Sequence, residues 1–178
     1  MITAKAAHRY AEAIFPLAKE QNNLDEIMQD FNLIHRAITS SADLRILVAS
    51  PVISQQNKKN IFHDIFKNKI SNLTFDLLNL MIEKNRENLI LDVCSRFEVL
   101  YNKEKNLLPI IIKSANELPE EIKKSIIAKV ESISGKKILP SYKIDSSIIS
   151  GVIIQINDWV YDVSLARKLE IIHKRLIS

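Results

Sequence analysis

The chain has 178 residues and a formal net charge of +4, with 47% hydrophobic and 26% charged side chains. That length accommodates one large domain or two small ones with a buried core. Its single cysteine, Cys94, excludes a disulfide framework and a multi-cysteine zinc site, and its two glycines are too few for a phosphate-cradling loop or a dinucleotide fingerprint.

The opening "MITAKAAHRYAEAIF" carries His8 and Arg9 where a secretory signal would run apolar, so no signal peptide is expected. "TAKAAHRYAEAIFPLAKEQ" reads as a first helix with Lys5, His8, Arg9, Glu12 and Lys19 on one arc. Pro16 falls within that arc, where it removes one backbone hydrogen bond and bends the helix with the ring toward solvent. "NLDEIMQDFNLIHRAI" follows, with Asn23 as N-cap and Glu26 three residues later as a capping box. Leu24, Met28, Phe31, Ile34 and Ile38 form its apolar stripe. "SADLRILVA" is short and stops before Pro51. "SQQNKKNIFHDIF" and "SNLTFDLLNLMIEKN" start on Ser54 and Ser71 as N-caps. "ENLILDVCSRFEVLYNKEKN" places Ile90, Val93, Phe97 and Leu100 on one face. Six helices joined by short links predict an antiparallel bundle over 1–105.

Beyond Asn106 the period changes. "LLPIIIKSA" predicts a strand, "PEEIKKSIIAKVESISG" a helix stopped at Gly135, and "KKILPSYKI" an edge strand tolerating Pro140. In "SGVIIQINDWVYDVS", Asn157-Asp158 predicts a two-residue hairpin turn. Ile156 then faces Trp159, Ile154 faces Tyr161 and Val152 faces Val163, all on one face. Gly151 allows a bend or close backbone approach at the entry, and Ser164 caps a final helix with Asp162 near its positive end. The fold class is therefore α+β, a six-helix bundle followed by a small β-α-β-β-β-α domain over 106–178.

No arrangement of catalytic residues emerges. His8, His35, His63 and His173 fall on four separate predicted helices, Cys94 lies toward an apolar face without a base, and Glu120-Glu121 suit a helix N-terminus. The first and fifth helices carry more apolar circumference than one bundle face requires. Either both lie centrally and bury it all, or a groove between them accepts another protein's amphipathic helix. The last predicted helix has Leu165, Leu169, Ile172 and Leu176 opposite Arg167, Lys168, Lys174 and Arg175. That is either a solvated face or a stripe that docks on acidic helices or phosphates.

"RYAEAIFPLAKE", "LVASPVISQQNKKNIF", "LLNLMIEKNRENLILDVCSRF" and above all "IDSSIISGVIIQINDWVYDVSLARKLEIIHKRL" resemble, in order, the delta subunit family of F-type ATP synthases. That family is the bacterial counterpart of the oligomycin sensitivity conferring protein. Its C-terminal signature maps here to Asp145, Gly151, Asp158, Asp162 and Ser164. Ser150, Asn157 and Val163 stand where many members have glycine, and Pro16 is unusual, which touches local turns and a helix bend. The resemblance implies a non-catalytic stator that links the alpha/beta catalytic head to the peripheral b-subunit stalk. It implies one copy in a hetero-oligomeric complex, peripheral on the cytoplasmic face of the bacterial inner membrane, without membrane insertion and without a cofactor, metal or nucleic acid. It also implies that the N-terminal helix of an alpha subunit docks on Tyr10, Ala13, Ile14, Leu77, Leu80 and Met81, while 106–178 binds the C-terminus of the b stalk. The alternative from charge is a basic nucleic-acid-binding adaptor, which expects affinity that falls steeply with salt. A small enzyme would instead require convergent titratable groups in a concave site.

Overall fold

The computed structural model describes residues 2–148 and 150–162. Val163, Ser164 and the predicted final helix with its apolar and cationic stripes, His173 included, lie outside the described residues. Those described form seven α-helices, a short 3-10 turn and a four-stranded sheet, an α+β chain. The chain divides into two compact units, Met1–Tyr101 and Asn102–Ser178. Composition puts the break a few residues later because α6 continues through Glu104 before the first strand begins.

The first unit contains α1 (Ile2–Glu20), α2 (Leu24–Ser40), α3 (Ala42–Ala49), α4 (Gln55–Phe66), α5 (Asn72–Glu83), the 3-10 turn Glu87–Leu89 and α6 (Ile90–Glu104). Ser41, Ser54 and Ser71 each accept a hydrogen bond from the backbone N–H three residues on, which satisfies one orphan donor per helix. Asn23 does not follow its expectation. Its backbone sits at φ −107°, ψ 18°, outside the extended geometry a capping box needs, and its side chain makes no cap bond. On α2 the buried stripe is Leu24, Ile27, Phe31, Ile34 and Ile38, so Ile27 takes the place expected for Met28. Phe97 of α6 is fully buried and meets Phe31 at 4.8 Å and Phe15 at 5.7 Å between ring centres, which joins α1, α2 and α6 in one aromatic cluster.

Two carboxylates inside this unit organise its joints. Asp30 of α2 is buried, and its Oδ2 accepts from the Ser71 N–H at 2.9 Å, the Ser71 hydroxyl at 2.6 Å and the Thr74 hydroxyl at 2.8 Å. Glu87 is buried too, and it accepts through Oε1 from Lys58, whose Nζ also donates to the Ser50 carbonyl at 2.6 Å. One pins α2 to the start of α5; the other ties α4 to the end of α3 and to the 3-10 turn.

Scarce glycine leaves the helix ends to asparagine. Asn22, Asn68, Asn85 and Asn106, each just past a helix, adopt positive φ. After α5 the Arg86 N–H donates to the Met81 carbonyl at 2.8 Å and the Asn85 N–H to that of Ile82 at 3.0 Å, the paired bonds of a Schellman ending. A left-handed L-residue costs about 1–2 kcal/mol, and glycine's greater unfolded freedom cancels roughly 0.5–1 of that. Asn85→Gly is therefore expected to stabilise the protein by about 0.5–1 kcal/mol, seen as a higher denaturant midpoint with an unchanged slope.

The second unit orders its strands β2-β1-β3-β4, with β1 (Leu107–Ser114), β2 (Lys137–Ile144), β3 (Val152–Ile156) and β4 (Trp159–Asp162). β1 pairs parallel to β2 across α7 (Glu120–Ser134) and antiparallel to β3. Pro140 lies on an edge strand, where its missing N–H costs no ladder bond. Ile110, Ile112, Ile138 and Ile154 make the core, backed by Ile126, Ile127 and Val130 of α7. Gly135 ends α7 at φ +65°, and Gly151 enters β3 at φ +96°, a backbone that L side chains rarely adopt.

Candidate helix-docking site

The outer surface of α1 and α5 follows from which flank of each helix is already occupied. On α1 the side chains facing inward are small or branched: Ala7, Ala11, Ile14 and Ala18 are 2% exposed or less. Phe15 turns one flank of α1 toward Phe97 of α6. The opposite flank carries Tyr10, Ala13 and Leu17, spaced by three and four residues. On α5, Phe75 meets His63 of α4 edge-on at 6.0 Å, so the free flank is the one with Leu73, Leu77 and Leu80. α1 and α5 are in contact.

The six positions implied by family resemblance do not share one environment. Ile14, Leu77 and Met81 are 2%, 8% and 1% exposed, members of the unit's own core and not of its surface. They form the floor beneath the site. Tyr10 is half-buried, and Ala13 and Leu80 are exposed, Leu80 at 42%. Leu17, absent from that set, is 46% exposed and Leu73 half-buried on the same flanks. Their signal in the sequence was spacing: Leu17 lies one turn beyond Ala13, and Leu73 one turn before Leu77. The apolar surface is thus narrower than the helical wheels suggest, a strip of Tyr10, Ala13, Leu17, Leu73 and Leu80.

Electrostatics around the strip are quiet. Lys59 donates to Glu83 at 2.5 Å and holds that carboxyl below its ordinary range, and His8 lies 3.0 Å from Glu12. At the far end of α6 the Tyr101 hydroxyl donates to Asp25 at 2.6 Å, which pushes the phenol up to about 12. Cys94 is buried, and desolvation raises its thiol to about 12. It is expected to stay unmodified by a thiol reagent at pH 8 in the folded protein and to react fully once denaturant unfolds the chain. Prompt reaction in the native state would contradict that burial. Among the described residues no group of three or more His, Cys, Asp or Glu side chains is arranged to hold a metal ion.

In the second unit the motif residues serve turns. Asp145 accepts from the Ser147 N–H at 3.0 Å and hydroxyl at 2.6 Å, bonds that lower its pKa. Asn157 takes φ +50° beside Asp158 in the hairpin turn, and Asp162 pairs with Ile153. Ile156 pairs with Trp159 and Ile154 with Tyr161, as their alternation requires. The shared face is only half covered, however. Ile154 is buried, whereas Trp159 and Tyr161 are 82% and 69% exposed because β4 is the sheet's outer strand.

Comparison with known proteins covers the whole chain. Residues 6–176 match the family model "ATP synthase delta (OSCP) subunit". The chain is 30% identical to ATP synthase subunit delta of Desulforamulus reducens, over all of this chain and 98% of that protein. It is likewise 30% identical to the subunit delta of Pelodictyon phaeoclathratiforme, over the full length of both. Among solved structures it resembles a chain of the Toxoplasma gondii mitochondrial ATP synthase hexamer, with a TM-score of 0.75 and 97% of each chain aligned. At 24% identity that last likeness speaks for the fold alone.

Proposed function

The chain belongs to the ATP synthase delta (OSCP) subunit family, and from that premise we propose how it holds its partners. It is a stator subunit of an F-type ATP synthase, a structural component and not a catalytic one. Such a subunit ties the catalytic head to the peripheral stalk so that the head resists the torque of the rotor. The complex is associated with a membrane, and no helix among the described residues is long and apolar enough to cross one. The comparisons give the nucleic-acid reading no support.

In this reading 1–105 is a six-helix bundle that caps the head. It receives the amphipathic N-terminal helix of an alpha subunit along the strip of Tyr10, Ala13, Leu17, Leu73 and Leu80. The observation that carries it is that α1 and α5 each keep a leucine exposed, Leu17 and Leu80, while Ile14, Leu77 and Met81 of the same helices are buried. An amphipathic helix needs such a surface, firm beneath and apolar on top. The second unit, 106–178, holds the C-terminal end of the b stalk, and the exposed Trp159 and Tyr161 on the outer strand are its anchor points. The assembly faces the cytoplasm, with one copy per complex.

Titrating the full chain with a peptide of the alpha subunit's N-terminus tests the first contact. Saturable binding with induced helicity in the peptide is expected, and absence of binding would remove the proposed site.

A further inference from the structure

We propose that the sheet face turned away from α7 is a docking surface for an acidic amphipathic helix of another protein, separate from both contacts proposed above. Side chains alternate from face to face along each strand. Ile110, Ile112, Ile138 and Ile154 point toward α7, which covers them with Ile126, Ile127 and Val130. Trp159 and Tyr161 pair with Ile156 and Ile154, so they lie on that side too. Ile111, Leu139 and Val160 point the other way. Leu139 is 42% and Val160 61% exposed, and none of the three joins the core against α7.

Lysines stand at both ends of this apolar strip. Lys137 opens β2 and Lys143 lies near its end, roughly 20 Å along the strand, and both are exposed. Lys143 pairs with Lys113 of β1, so two ammonium groups sit side by side, where like charges repel. On this face of the strands the only carboxylate is Asp162, in register with Ile153 beside Lys113. Asp145 feels the Lys113 charge, but its Oδ1 is taken by the Ser147 N–H and hydroxyl. Charge then decides between occupants. Residues 163–178, which follow β4, carry four Lys and Arg against one Glu, so like charge disfavours them here. A second copy laid face to face would bring lysines to lysines. A helix of about four turns is roughly 20 Å long, the length of the strip. With an apolar stripe flanked by Asp or Glu, such a helix matches both the strip and its cationic ends.

The test titrates the full chain with a synthetic amphipathic peptide of about four turns, leucines on one face and glutamates on the other. Its control has every glutamate replaced by lysine. The glutamate peptide is expected to bind, with affinity that falls as salt rises, and the lysine peptide is not. Lys137→Glu combined with Lys143→Glu is expected to weaken binding about tenfold, and Leu139→Asp by a similar factor, with far-ultraviolet circular dichroism unchanged. Lys124→Glu combined with Lys129→Glu, both exposed on α7, alters net charge equally and is expected to leave affinity near that of the wild type. Failure of the glutamate peptide to bind, equal binding of both peptides, or full affinity in the Lys137 and Lys143 double variant overturns the proposal. A nitroxide at Lys143→Cys, the reactive thiol because Cys94 is buried, checks the other occupants. Broadening of the resonances of 163–178 in the free chain would assign the face to the chain's own end, and a dimer that Leu139→Asp dissolves would assign it to a second copy. Either result also overturns the proposal.

Discussion

Replacing Lys58 by Met is expected to destabilise the helical unit by about 3–5 kcal/mol, although the side chains are similar in length. Lys58 is 2% exposed and donates to Glu87 and to the Ser50 carbonyl. Glu87 is 6% exposed, and among the described residues its second oxygen, Oε2, is buried without a partner. Removing the ammonium thus leaves a carboxylate with neither oxygen matched, in a place where water does not reach. The double change Lys58→Met with Glu87→Leu is expected to recover most of the loss, because two apolar groups need no partners. Denaturation followed by helical circular dichroism measures this. The only tryptophan, Trp159, belongs to the second unit, so its emission is not a probe placed in the helical unit. If Lys58→Met alone leaves the denaturation midpoint unmoved, the pair is not buried as described.

Binding shows the second large effect. Leu17→Asp and Leu80→Asp are each expected to weaken the alpha-subunit peptide by about 2–4 kcal/mol, roughly thirty- to several-hundred-fold. Each change puts a carboxylate where an apolar contact is to form, yet both side chains are more than two-fifths exposed in the free chain, so folding is spared. Ile14→Asp is not a clean probe. At 2% exposure it would bury a charge in the core and unfold the unit it was meant to test. Wild-type affinity in both surface variants would move the docking site elsewhere.

Much of the architecture was legible in the residues. Ser54 and Ser71 announced two helix starts, Gly135 a helix end, and alternation around Asn157-Asp158 gave the pairing of Ile156 with Trp159. What could not be read was depth. A helical wheel says which way Ile14 and Met81 point but not how closely neighbouring helices approach, and here alanines at 7, 11 and 18 let them close over both. Lys58 and Lys59 look alike in "SQQNKKN", yet one turn of roughly 100° between them buries the first and leaves the second on the surface with Glu83. Asp30 gave no signal at all, since its partners Ser71 and Thr74 are more than forty positions along. The proposed docking strip was half legible for the same reason: which flank of each helix carries it was written in periodicity, and the burial of Ile14, Leu77 and Met81 beneath it in packing.

The use of asparagine at the helix ends has a mechanical consequence. Residues 1–101 contain no glycine; both glycines come later, at 135 and 151. An asparagine bent to positive φ has a side chain that narrows the dihedral range open to it, whereas glycine there swivels freely. A part that must stand still against a turning shaft benefits from joints that do not swivel, and the first unit, proposed above to face the head, has built its bends from the stiffer residue. Both glycines, the residues whose backbone turns most freely, fall in the second unit, which is proposed to meet the stalk.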